Sequence, residues 1–236
     1  MADNKPGGRS GEVPSLSEDT IKINRYELKY LIREERALAV RDHIRHICKP
    51  DPHTDPVTGT YVVNNLYFDT TDLRFYHDTR FRKVTRFKPR ARYYNERPEF
   101  IYPELKYRNN SIIWKTRTRI PAAGWPALFQ PQLSDRIEPE FKQAAETFQD
   151  AIDLYHAEPV LQVRYQREAY VTELENYGRV TFDRKLSSRP AHGSIELDLA
   201  EDYVLYDDAL TSRFDCSMVI LEIKVVSYGM LSIAGA

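Results

Sequence analysis

From Arg86 to Arg92 every second residue is a cation: Arg86, Lys88, Arg90 and Arg92 alternate with Phe87, Pro89 and Ala91. Alternate side chains of a β-strand share a face, so a strand here sets four positive charges in a row on one side of a sheet. The alternation recurs. Lys115, Arg117 and Arg119 share one parity, as do Glu104 and Lys106, and Glu222 and Lys224, while Arg167 and Arg179 fall in two further strand-like segments. The opposite parity is apolar in places, as with Leu28 and Tyr30, or Val219, Leu221, Ile223 and Val225. Such segments set an apolar face against a core and a charged face against water or a ligand.

Strand signals run through most of the chain: "IKINRYELKYLI", "TYVVNNLYFDT", "RFRKVTRFKPRARYY", "PEFIYPELKYR", "SIIWKTRTRI", "PVLQVRYQREAYVT", "RVTFDRK", "SIELDL" and "MVILEIKVV". Two stretches instead show helical spacing. "REERALAVRDHIRHI" carries Leu38, Arg41, Ile44 and Ile47 in register, and Phe141, Ala144, Ala145, Phe148, Ile152 and Tyr155 form a second stripe. About nine strands with two or three helices predict an α+β chain, an antiparallel β-barrel decorated with helices. Residues 1–20, rich in Gly, Pro, Ser and charge, predict a disordered tail, and residues 21–236 a single domain.

The chain of 236 residues has a formal net charge of −1, so its basic rows are local features and not part of a generally basic nucleic-acid binder. Cys48 and Cys216 are the two cysteines, with no CxxC, which argues against a zinc ribbon or disulfide framework and fits a cytoplasmic setting. No apolar run approaches membrane-span length, and the start lacks a signal-peptide core. The six histidines, His43, His46, His53, His77, His156 and His192, fall in helix, loop or turn contexts and suggest no site.

Taken singly, each charged face is simply the wet side of an antiparallel sheet. Taken together, they accumulate one sign, and like charges across a sheet repel. If helices cover the apolar exterior of a barrel, the charged faces point inward, where a polyanion is needed to satisfy them. Phosphate fits best, because Arg offers a planar fork and Lys a compact charge to its oxygens. Nucleic acid would favour exposed aromatic platforms beside the cations, whereas Phe81 and Phe87 alternate out of phase with them and predict core positions.

Several of these segments, in this order, resemble the vacuolar transporter chaperone (VTC) catalytic domain, a polyphosphate polymerase branch of the triphosphate tunnel metalloenzymes (CYTH-like superfamily). The resemblance rests on "RYELKYLI", "NNLYFDT", "KPRARYY", "ELK", "WKTRTRI", "VLQVRYQREAY" with "RVTFD", and "VILEIK", spanning about Ile21 to Tyr228. It implies a triphosphate tunnel that holds a nucleotide triphosphate and a growing phosphate chain. The matched basic positions are Lys29, Arg90, Arg92, Lys106, Lys115, Arg167 and Arg179, expected to bind phosphate and promote transfer. Glu222 matches the metal-binding carboxylate, with Mn2+ or Mg2+ the implied ion. Asp183, Glu196 and Asp198 are weaker candidates, better explained as surface or ion-pairing acids. Where the superfamily opens with an ExExK strand, this chain has Arg25, Glu27 and Lys29, a shift from metal toward phosphate binding.

The implied activity is transfer of the γ-phosphoryl of ATP to inorganic polyphosphate, a reaction that needs alignment and charge neutralisation more than covalent help. The alternatives are a triphosphatase in the same tunnel and a non-catalytic polyphosphate-binding module. ATP and inorganic polyphosphate or triphosphate are the expected partners, with no nucleic acid and no membrane span of its own, and with a homo-oligomer or a membrane protein as the macromolecular partner. The family continues after "LEIK" into a helical segment carrying a Ser-Lys-aromatic motif. Here Ser227-Tyr228 has no intervening Lys and nothing after Lys224 is basic, so the expectation is a domain lacking that segment.

Overall fold

The alternating segments pair into one antiparallel sheet. The computed structural model describes residues 26–110, 112–130, 137, 139–172, 178–197, 202–206 and 218–225. In chain order the elements are β1 (Tyr26–Arg33), α1 (Glu34–Ile44), β2 (Cys48–Pro50), β3 (Tyr61–Asp69), α2 (Arg74–Arg80), β4 (Thr85–Tyr94), β5 (Phe100–Asn109), β6 (Ile112–Arg117) and β7 (Ile120–Pro121). A 3-10 helix (Ala122–Phe129) follows, then α3 (Pro139–Tyr155), β8 (Glu158–Thr172), β9 (Gly178–Pro190), β10 (Val204–Leu205) and β11 (Met218–Val225). The sheet runs β1-β11-β9-β8-β3-β4-β5-β6, with β10, β2 and β7 paired alongside β9, β8 and β5. This is the expected antiparallel tunnel-type architecture, richer in strands than the sequence suggested. Among the described residues β1 and β6 remain its hydrogen-bonded edges, so curvature and not a closed ladder brings its ends together.

Helices cover the outer face where strand parity is apolar. Ala37 and Ile44 of α1 bury against Phe182, Val219, Leu221, Ile223 and Val225 of β9 and β11. Glu34 and Glu35 in the first turn of α1, and Arg41 and His43 in its last, suit the helix dipole. On the other half, Ala145, Phe148 and Ile152 of α3 join Trp125 and Leu128 of the 3-10 helix over Leu66, Phe87, Ala91 and Leu105. Truncating a fully buried aromatic such as Phe148 costs about 3–5 kcal/mol. Phe141 and Ala144 of the expected stripe lie outside the described side chains.

Two prolines stand inside strands, each just where a ladder ends. The β3–β4 pairing stops at Tyr67 opposite Arg90, so Pro89, which has no N–H, owes nothing to β3. The β5–β6 pairing begins at Glu104, one residue after Pro103. Thr85 to Pro89 therefore pair with β5 alone, and a ribbon of β4, β5 and β6 extends past β3.

The strand expected from Arg80 begins only at Thr85, because Arg74–Arg80 form α2. That helix is short, and its start is held by the residue that ends β3: the Asp69 carboxylate accepts from the backbone N–H groups of Phe75 (2.8 Å) and Tyr76 (2.9 Å). Arg80, Arg82 and Lys83 therefore precede the strand and lie outside its cationic row. Phe81, expected in the core, is 68% exposed, whereas Phe87 is buried as predicted. Tyr30 is also exposed, and so are Leu38 and Ile47 near α1, where Ala37 and Ile44 carry the packing. The predicted tail, Arg25, Asp198, Cys216, Ser227 and Tyr228 lie outside the described residues.

Candidate functional site

Register carries the cations of successive strands to one side of the sheet. On one half, Arg92 stands opposite Asn65 of β3 and Tyr102 of β5, Arg90 opposite Glu104, and Lys88 opposite Lys106, which in turn faces Lys115 of β6. On the other half, Lys29 of β1 faces Glu222, Lys224 faces Arg179, and Arg167 faces Asp183. All seven basic positions singled out in the sequence, and Glu222, thus occupy the face opposite α1 and α3.

The two halves also meet across the enclosed space. Lys106 of β5 interacts electrostatically with Glu27, Lys29 and Lys224 of β1 and β11, and Lys88 of β4 with Lys29. Burial first, and these neighbouring cations second, lower the pKa of Lys88 and of Lys106 below the usual lysine value.

Glu104 is the hub of one wall, and the sequence did not single it out as a site residue. It is 1% exposed. Its carboxylate accepts from Arg90 Nε (2.7 Å) and Lys115 Nζ (2.6 Å), with Arg117 Nε at 3.4 Å. Burial would raise the Glu104 pKa, but Arg90, Arg92 and Lys115 outweigh it and hold it at about 2. Desolvation brings Lys115 down to about 8, despite Glu104 beside it. Arg90 also donates to the hydroxyl of Tyr67 (3.5 Å). Burial would raise the Tyr67 phenol, yet Arg90, Arg92 and Lys88 turn the shift downward. Arg92 Nε donates to Asn65 Oδ1 (3.0 Å), and the buried Asn65 Nδ2 has no partner.

The facing wall is organised by two acids. Arg167 forks onto Asp183 through Nε (2.6 Å) and Nη2 (2.7 Å), the ion-pairing role expected of Asp183, and reaches Glu222 at 3.8 Å. Glu222 is 5% exposed and receives Lys29 (3.1 Å) and Lys224 (3.0 Å). Lys29 also lies 3.3 Å from Glu27, whose carboxyl reaches Glu222. Burial works against the Glu222 charge, but Lys224 and Lys29 beside it lower its pKa well below the carboxylate range. Arg179 pairs with Asp51 and with the Tyr61 hydroxyl, each at 2.8 Å. Glu196 lies in the segment after β9, where its carbonyl accepts from Gln162, away from these walls.

The interior is therefore partly neutralised by the protein itself, which revises the expectation that unpaired cations line it throughout. Arg86, Lys88, Arg92 and Lys106 nonetheless form no ion pair with a carboxylate among the described residues, and they stand on two adjoining strands. Lys88 belongs to the alternating row but not to the positions matched to the family, although it shares the parity of Arg90 and Arg92. Nothing in the sequence marks Glu104 as a counter-charge, since its partners come from the two flanking strands, β4 and β6.

No group of three His, Cys, Asp or Glu that would cage a metal occurs among the described residues. Glu27 and Glu222 supply two adjacent carboxylates, and the buried Thr181 hydroxyl opposite Glu222 has no partner. Such hard oxygen donors fit Mg2+ or Mn2+, ions that bind through one or two carboxylates and complete their shell with water and phosphate. No helix among the described residues is long and apolar enough to cross a membrane.

Among solved structures, the chain is similar to a candidate adenylate cyclase from Bacillus halodurans, with 15% identity and a TM-score of 0.47 over 88% of this chain and 83% of that one. It is also similar to a candidate adenylyl cyclase from Hippeastrum described as having a dominant triphosphatase activity, with 14% identity and a TM-score of 0.47 over 89% and 87%. A third, a protein of Pyrococcus horikoshii OT3, shows 12% identity and a TM-score of 0.41 over 90% and 83%. Comparison with curated protein sequences finds no significant match. The sequence model of the VTC domain matches residues 24–233, nearly the full 236, and the chain belongs to the VTC domain family.

Proposed function

We propose that this chain is a polyphosphate polymerase-like domain, transferring the γ-phosphoryl of ATP to a growing inorganic polyphosphate held between its cationic walls. The observation that carries this is the set Arg86, Lys88, Arg92 and Lys106, without a carboxylate ion pair among the described residues, of which Lys88 and Lys106 face Lys29 across the interior. One phosphate cannot reach them all. At about 3.3 Å per residue, the row from Arg86 to Arg92 spans roughly 20 Å, a length that suits a string of phosphates.

In the transfer, an oxygen of the acceptor phosphate bonds to the γ-phosphorus as the bond to the ADP oxygen breaks, and ADP leaves. Arg90 and Lys115, fixed by Glu104, and Arg167, fixed by Asp183, are oriented before any ligand arrives, so little reorganisation is needed as charge moves onto the equatorial oxygens. Arg92, steadied by Asn65, together with Lys88 and Lys106, holds the chain in line. Glu27 and Glu222 would hold Mn2+ or Mg2+, which when bound adds positive charge at the phosphate oxygens. We take residues 21–236 as one tunnel domain acting in the cytoplasm.

A triphosphatase is the second reading, favoured by the paired carboxylates of Glu27 and Glu222, where a single acid was expected from the sequence. Incubation with ATP and Mn2+, with products resolved on a gel, decides between them. Long phosphate chains are expected. Short hydrolysis products would favour the triphosphatase, and no turnover would leave a phosphate-binding module.

A further inference from the structure

We propose that a second anion site lies outside the cationic walls, in the notch at the end of the β4–β5–β6 ribbon, and that it holds the length of a polyphosphate chain that extends beyond the interior. It rests on the polyphosphate reading above.

The notch encloses about 340 Å3 and is lined by Arg82, Lys83, Val84, Arg86, Arg108 and Asn110. No acid lines it. Lys83 is paired with Asp78. Arg82, Arg86 and Arg108 have no ion pair to a carboxylate among the described residues, and Arg108 donates only to the Asn110 carbonyl (2.8 Å). Three guanidinium groups are thus gathered in one concavity without a counter-charge, the arrangement that planar, forked donors offer to phosphate.

The backbone that forms the notch is fixed. Asn110 N–H donates to the Val84 carbonyl (2.9 Å), tying the β5–β6 turn to the segment between α2 and β4. Arg82 and Asn110 both take left-handed conformations, with φ of 52° and 54°. Asn tolerates that conformation, whereas for Arg82 it is strained and held by the turn around it.

Arg86 joins the notch to the interior, because it is also the last cation of the row that begins at Arg92. At the other end of that row the inward face is filled. Tyr61, Val63, Tyr165 and Ala169 are buried there, with Tyr94 packed against them. Along β4, then, the row runs from packed side chains to an open notch, and a chain longer than the row extends toward Arg86. Phe81 and Val84, 68% and 65% exposed nearby, would also suit a lipid surface. Phosphate is favoured because the notch is concave and continuous with the row through a shared arginine.

The test compares the full chain with the double variant Arg82→Ala/Arg108→Ala, both exposed positions, binding tripolyphosphate and a long-chain polyphosphate in parallel titrations. The variant is expected to bind tripolyphosphate as the parent does and to lose roughly tenfold or more in affinity for the long chain. Unchanged affinity for both ligands would overturn the site, and an equal loss for both would overturn its independence from the interior. A variant that keeps long-chain binding but no longer sediments with phosphatidylserine vesicles would overturn it in favour of a membrane contact. If the parent chain fails to bind tripolyphosphate, the reading of the interior fails instead, and the long-chain comparison still judges the notch.

Discussion

Glu27 on β1 supports the positive charge of Lys106 on β5, although five strands stand between them in the sheet order. Burial is the larger influence and lowers the Lys106 pKa overall, but the attraction requires β1 and β5 to face each other across a short gap. Lys29 acts on Lys88 in the same way, with opposite sign. A flat sheet would hold these pairs more than twenty ångströms apart, at roughly 4.8 Å per strand, where salt screens them. Curvature thus makes one electrostatic environment out of cations contributed by separate strands, and four consequences can be measured.

Glu104 stabilises the fold as well as the wall. Its folded pKa of about 2 lies below its ordinary 4.5, so its contribution is fully present above pH 4.5 and is lost as pH falls toward 2. For a side chain this buried, the shift corresponds to roughly 3 kcal/mol. Glu104→Gln is expected to lower stability by about 2–3 kcal/mol at pH 7 in urea denaturation, with the gap narrowing steadily below pH 4.5. A gap that stays constant down to pH 3 would contradict this origin.

Lys115, at about 8, sheds its charge within an accessible pH range. Deprotonation removes a cation, so tripolyphosphate affinity should weaken as pH rises through 8, and bound phosphate should in turn raise the lysine's pKa. Arg does not deprotonate there. Lys115→Arg should therefore bind more tightly than the parent at pH 9 but not at pH 7, a comparison in which the ligand's own ionisation cancels. Parallel pH profiles would exclude Lys115 from the titration.

Arg92→Ala should weaken tripolyphosphate binding by roughly ten- to a hundredfold, the equivalent of a charge-assisted contact of about 1.5–3 kcal/mol. Folding should survive, since Arg92 bonds only to Asn65 among the described residues. Binding by the parent should fall steeply with added salt, and less steeply in the variant. Calorimetric titration reads both, and unchanged affinity would remove Arg92 from the site.

Glu222→Gln should cut Mn2+ affinity at least roughly tenfold, read from the free-ion signal by electron paramagnetic resonance. Without metal, tripolyphosphate binding should hold or tighten, because the wall loses a negative charge near Lys29 and Lys224. Retained Mn2+ binding would rule Glu222 out as a ligand.

Parity along single strands was legible in the sequence, because side-chain alternation is a local property of extended backbone. It identified Arg90 and Arg92, Lys106, Lys115 and Glu222 as sharing faces, and it separated them from the apolar positions that α1 and α3 cover. Periodicity failed where a capping side chain or a cross-strand partner decided the outcome. Asp69 caps α2 and so takes Phe81 out of the core, and Arg74–Arg80 contain no periodicity long enough to announce that helix. The pairing of Arg90, Lys115 and Arg117 on Glu104 joins three strands whose spacing in the sequence carries no sign of it.

What the sequence determined by itself is the charge on each face of each strand and the family to which the segments belong. The tertiary structure decided which cations are neutralised and which are left open, and that β1 faces β4 and β5. Those outcomes depend on the accumulated twist and bend of the whole sheet under its covering helices, a sum over strands that no single segment contains.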